Sequence, residues 1–249
     1  MLRSENDRSR GDALTWLAGV VEHQGARFPV SSHVVPFLVA LVDDPVTPDR
    51  ESILSILRSV VLGDADLPFD PDFELGDILT DDELAEAGRL LYGTANPFAD
   101  DPPMELYEAA SIRWAAEAYR AAQAHLSTIV RWLSDPLVAA QAAELVAYFP
   151  PTQEIVDGLI ASVAPASANL SMGYLTGYQK VDTHLTSALD ADPVDVRMTA
   201  AVALAFRHGQ DLPGEALDVL VDVKPPPAPP GWDRSMRGFV TLALKRVGL

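Results

Sequence analysis

Apolar residues recur at every third or fourth position along almost the whole chain, while sustained period-two alternation is hard to find. That spacing gathers apolar side chains onto one stripe only in a helix, so the chain is expected to be all-α. Leu14, Leu17, Val20 and Val21 form one stripe, which Gly25 closes, and Phe37, Leu38, Leu41 and Val42 form the next, ending at Asp43-Asp44-Pro45. Thr47 then reads as a cap and Pro48 as the first residue of a helix carrying Ile53, Leu54, Ile56, Leu57, Val60 and Val61. Thr80 and Glu83 have capping-box spacing ahead of Leu84, Ala87 and Leu91, which predicts a helix over 81–93. Further helices are expected at 104–123, 126–134, 136–148, 152–164, 168–178, 181–190, 194–208, 213–222 and 233–247.

Three connections share an Asp-Pro pair between apolar helices: Asp44-Pro45, Asp135-Pro136 and Asp192-Pro193. Asp is expected to cap and Pro to start the next helix, giving sharp breaks between antiparallel neighbours. The clearest unit runs Asp192-Pro193-Val194-Asp195-Val196-Arg197, followed by Ala200, Ala201 and Ala203, small residues that let a neighbouring helix come close. This unit resembles the HEAT repeat, a helical hairpin whose first helix opens with an Asp-x-Val-Arg-like signature and alanine pairs. The segment from Asp135-Pro136 to Leu145 keeps the turn and the alanines, and Val34 to Pro45 is similar to a second helix entering the inter-repeat turn. The resemblance, to bacterial HEAT-repeat (armadillo-like) proteins, implies an α-solenoid of antiparallel hairpins over 1–249. It also implies that Asp195 and Arg197 join neighbouring repeats rather than carry chemistry.

Within that single domain, residues 63–103 read as an acidic insertion or an irregular repeat, holding Pro68, Pro71, Pro97, Pro102 and Pro103. Residues 224–231 form a proline-rich linker to a terminal helix at 233–247, with a proline-motif ligand as the alternative. The charge is equally uneven. The 249 residues hold 18 Lys and Arg against 36 Asp and Glu, a net −18, and thirteen acids against Arg89 place −12 of it in 64–105. A surface of that sign repels phosphate backbones, so nucleic acid is not an expected partner. With no cysteine, thiolate catalysis, disulfides and Cys-type zinc sites are excluded and a reducing cytoplasm is the expected home. The stretch Leu14 to Val21 makes a poor signal peptide, and no uncharged apolar run approaches the roughly 20 residues of a membrane span.

The acidic segment interleaves carboxylates with apolar anchors, and Asp64, Asp66, Phe69, Asp70, Asp72, Phe73, Glu74 and Asp77 are the candidate partner-binding residues. A solvated loop fits the same composition. A calcium loop does not: a frame starting at Asp64 puts Phe69 where glycine is needed and Leu75 where glutamate is needed, and from Asp70 the glycine, Gly76, falls one residue late. His23, His33, His125, His184 and His208 form no metal-ligand pair, so neither a metal nor a cofactor is expected. Phosphate loops and nucleophile elbows are also missing, and no catalytic residue is nominated. Trp114, seven residues after Tyr107, is expected in the core, with Glu117 pairing to Arg113 or Arg120. The expected function is therefore a noncatalytic scaffold or interaction module for a basic protein partner, of inhibitor, immunity or adaptor type. The alternative is an enzyme on this scaffold, similar to HEAT-like DNA glycosylases, which would need a basic concave groove that a net −18 disfavours.

Overall fold

The computed structural model describes residues 1–23, 25–63, 79–92 and 104–249, without the side chains of Tyr92 and Met104. Thirteen α-helices, two 3-10 turns and one pair of two-residue strands account for the regular structure of the described residues, so the chain is predominantly all-α. It divides into two compact units, Met1–His125 and Leu126–Leu249.

The first unit contains α1 (Asp7–Val21), β1 (Glu22–His23), β2 (Ala26–Arg27), α2 (Ser31–Asp43), α3 (Arg50–Leu62), α4 (Asp81–Tyr92) and α5 (Met104–Gln123). The strands pair antiparallel, Glu22 opposite Arg27 and His23 opposite Ala26, and are too short to leave a period in the sequence. α2 packs against both α3 and α5. Its buried row is Val35, Leu38, Val39 and Val42, facing Ile53, Leu54, Leu57, Val60 and Val61 of α3. Each such side chain contributes roughly 1.5–3 kcal/mol of burial.

Two buried arginines close the ends of these helices. Arg27 donates to the carbonyls of Val60 (3.1 Å) and Val61 (3.4 Å), and Arg50 to that of Val42 (2.6 Å). Each cation thereby meets carbonyls that the last turn of a helix leaves unsatisfied. Gly63, at φ 59°, lies against the Arg27 guanidinium so closely that any Cβ would overlap it. α3 begins two residues later than the Thr47-Pro48 reading. The Asp44 carboxylate accepts from Val46 N (3.1 Å) and its carbonyl from Thr47 N (3.0 Å), which closes a turn and leaves Asp49 as the capping residue.

The capping box holds as expected. Thr80 N donates to the Glu83 carboxylate (2.8 Å) and Glu83 N to Thr80 Oγ1 (3.3 Å), fixing the start of α4. α4 then packs on α5 through Ala87, Leu91, Ala110 and a buried Trp114. Of the expected insertion at 63–103, residues 64–78 and 93–103 lie outside the described residues.

The second unit contains α6 (Leu126–Arg131) with a 3-10 turn (Trp132–Ser134), α7 (Ala139–Val146), α8 (Gln153–Ile160), α9 (Pro165–Met172), α10 (Gln179–Ala188), α11 (Val194–His208) with a 3-10 turn (Gly209–Asp211), α12 (Gly214–Asp222) and α13 (Met236–Val247). α7 packs on α9, α9 on α11 and α11 on α13, while α6 touches α8 and α8 touches α10. The alanines of α11 do what their size allows: Ala200, Ala201, Ala203 and Ala205 are all buried in that row.

Polar groups pin the same contacts. Ser171 Oγ donates to the Ala143 carbonyl (2.5 Å), and Asn169 Nδ2 to that of Val196 (3.1 Å). Arg207 makes two bonds to the Asp182 carboxylate (2.6 and 2.9 Å), tying α11 to α10. Asp135 and Pro193 depart from the cap-and-start reading. Asp135 accepts from Leu137 N at its carboxylate and from Val138 N and Ala139 N at its carbonyl, so Pro136 sits in a turn before α7. Pro193 is the capping residue of α11 rather than its first helical residue.

A candidate protein-docking groove

The candidate residues Asp64, Asp66, Phe69, Asp70, Asp72, Phe73, Glu74 and Asp77 lie outside the described residues. Among the described ones, a groove of about 710 Å³ in the first unit can take a ligand; it is lined by Met1, Leu2, Arg3, Asp12, Ala13, Trp16, Leu17 and Leu41.

Its walls follow from how α1 is held. Asn6 caps the helix by accepting from Ser9 N (3.0 Å), but of its fifteen residues only Val21 is buried. Polar contacts supply what apolar burial does not. Arg10 donates to Asp49 (2.5 Å), Asp7 (2.7 Å) and the Ser4 carbonyl (2.8 Å), and Arg3 donates to Asp44 (2.6 Å). The Asp49 hydrogen bond, foremost, raises the Arg10 pKa above the ordinary arginine value. These four bonds hold the N-terminal segment and α1 beside the turn after α2 while leaving Trp16 and Val20 of α1 exposed. Trp16 is 68% exposed.

α2 supplies the other wall. Phe37, Leu38, Leu41 and Val42 were expected to form one stripe, and they divide. Leu38 and Val42 join Val35 and Val39 inside, whereas Phe37 is 70% exposed and Leu41 lines the groove. The signal is present in the sequence as a second apolar row, Val34, Phe37 and Leu41, at helical spacing on a helix that can bury only one face.

Chemically the groove offers dispersion and desolvation. Its titratable side chains are Arg3, already paired with Asp44, and Asp12. A second cleft of the same unit, about 520 Å³, is lined by Pro29, Asp81, Leu84, Ala85, Gly88, Trp114 and Glu117. Its two carboxylates are both tied to Arg113, Asp81 at 2.8 Å and Glu117 at 3.4 Å, which keeps them in ion pairs. Perturbed groups elsewhere have structural causes. Burial raises Tyr119 to about 12 and lowers His184, and the Arg207 hydrogen bonds lower Asp182. Among the described residues no three of His, Asp and Glu gather as a metal site would require, and no helix is long and apolar enough to cross a membrane. No protein-family model, curated protein or solved structure matches the chain.

Proposed function

We propose that the protein is a noncatalytic interaction module that docks an apolar segment of a basic partner protein in the groove between its N-terminal segment, α1 and α2. The observation that carries this reading is Trp16, a large aromatic left 68% exposed along an apolar groove. A contiguous exposed apolar surface marks an interaction site, and buried aromatics dominate the energetics of interfaces. A net charge of −18, two-thirds of it in 64–105, favours a basic partner and steers its approach. Asp64, Asp66, Asp70, Asp72, Glu74 and Asp77, with Phe69 and Phe73, belong to this reading as a second contact. A cytoplasmic setting suits a cysteine-free chain.

We also infer that the second unit is a HEAT-like solenoid. The order of contacts supports it, since α7, α9, α11 and α13 follow one another in a row while α6, α8 and α10 follow in another. Such stacking extends one continuous surface with each added hairpin.

The test is capture of partners from the native host, with mass spectrometry, by wild type and by Trp16→Ala. A partner retained by wild type and lost by the variant, at unchanged melting temperature, is the expected result. Equal capture by both would remove the groove as the docking site.

A further inference from the structure

The second unit holds a site of different chemistry, independent of the groove. The proline-rich stretch expected to be a spacer instead lies directly on the helices of its own unit. Gly231, at φ 90°, sits where a Cβ would come within 2.5 Å of the Ala140 carbonyl oxygen, at the start of α7. The Pro230 carbonyl accepts from Ser167 Oγ (2.7 Å), in the first turn of α9. The strap thereby delivers Trp232 into an aromatic wall. Its ring is 6.1 Å from that of Tyr174 and meets Phe239 edge-on at 5.5 Å, while Tyr174 stacks on Phe206 at 5.4 Å.

Two hydrogen-bond donors at this place lack acceptors. Trp232 Nε1 and Arg234 Nε are sealed from solvent, and among the described residues nothing accepts from either. Arg234 is half-buried and makes no hydrogen bond or ion pair with any described residue. Arg197 and Arg207 of the same unit are satisfied, Arg197 by two carbonyls and Arg207 by Asp182. The Arg234 charge reaches Tyr174, opposing the burial that raises that phenol. A sealed donor without an acceptor costs about 1–3 kcal/mol, and more for a charged group. Immediately after Arg234, Ser235 caps α13 by accepting from Gly238 N (3.2 Å), and the Arg234 side chain lies against Gly238 in the first turn, so the positive end of that helix lies beside the guanidinium stem.

We propose that Trp232 and Arg234 form a binding site for an oxyanion, a carboxylate or a phosphate group. The anion accepts from the indole N–H and the guanidinium, beside the stacked rings of Tyr174 and Phe206. Both residues are half-buried rather than enclosed, so the anion approaches along their exposed edges. In a chain of net −18 this is an anion site set against the overall field, so its binding has to come from the local donors.

The experiment is a ¹H–¹⁵N titration of the full chain with sodium phosphate and, separately, sodium acetate, at ionic strength held constant with chloride. The four tryptophans give four indole signals, and Trp232→Phe identifies the relevant one. A saturable downfield shift of the Trp232 indole proton is expected, with binding weakened roughly tenfold or more in Arg234→Gln and unchanged in Arg237→Gln, an exposed neighbour. Whichever of the two anions binds identifies the source as phosphoryl or carboxylate. No saturable shift with either anion overturns the proposal, and wild type alone decides that even if a variant fails to fold. An equal shift in chloride, or equal binding by a folded Arg234→Gln, overturns it too.

Discussion

Arg207 shows how a charge is kept inside this protein. Its side chain is 6% exposed, and it meets both oxygens of Asp182 and the carbonyls of Met172 (3.4 Å) and Tyr178 (3.2 Å), while His208 adds a 3.0 Å contact to the same carboxylate. Removing Arg207 leaves the desolvated Asp182 carboxylate with only the His208 contact to offset it, so Arg207→Ala should cost about 3 kcal/mol in a denaturant titration. The pH dependence has a definite sign. The Arg207 hydrogen bonds hold Asp182 below its ordinary pKa, so its stabilisation is present above the unfolded value of about 3.9 and is lost as pH falls through the lower, folded value. The melting-temperature gap between wild type and Asp182→Asn should therefore be wide at pH 7 and narrow below about pH 4. A gap that stayed constant to pH 3 would mean that Asp182 is not the titrating group.

At the scale of the element, α11 was legible from end to end, and Arg197 within it was not. The alanine face and the 194–208 limits follow from composition and spacing, because a helix with buried alanines has one geometry. The resemblance gave Arg197 an inter-repeat role, yet its guanidinium donates to the carbonyls of Ala191 (2.9 Å) and Asp192 (3.2 Å), in the turn that leads into its own helix. Arg197→Ala should thus cost about 1 kcal/mol and speed amide exchange in residues 189–192, with the α7–α9 contact unaffected. Protection lost first in α9 would restore the inter-repeat role. Helix starts were misread where a side chain or a carbonyl could serve more than one N–H. Asp135 closes a turn instead of capping, and Pro165, which opens α9, was passed over for a start at 168. Periodicity reports which residues are buried, and it is silent on which of several competing turn hydrogen bonds forms.

At the scale of the molecule, the charge asymmetry was legible at once, whereas the groove was not. Charge sums along a sequence, but a groove needs the N-terminal segment, α1 and α2 brought together by Arg3–Asp44 and Arg10–Asp49, pairs 41 and 39 residues apart. Under the proposed function the two features would act over different distances, and so they should divide the kinetics of partner binding. Trp16 acts only in contact, and its truncation should raise the dissociation rate while leaving association nearly unchanged. The acids of 64–105 act through the field. Replacing Asp64, Asp66, Asp70 and Asp72 with Asn should slow association, and salt should mimic the effect by shortening the screening length from roughly 10 Å at 0.1 M to about 3 Å at 1 M. Stopped-flow rates for both variants at the two ionic strengths make the comparison. If the four-site variant and salt left association unchanged, the acidic segment would be a solvated loop and the groove would be the whole binding surface. If instead Trp16→Ala slowed association as much as the acids do, the groove would be part of the encounter rather than its anchor.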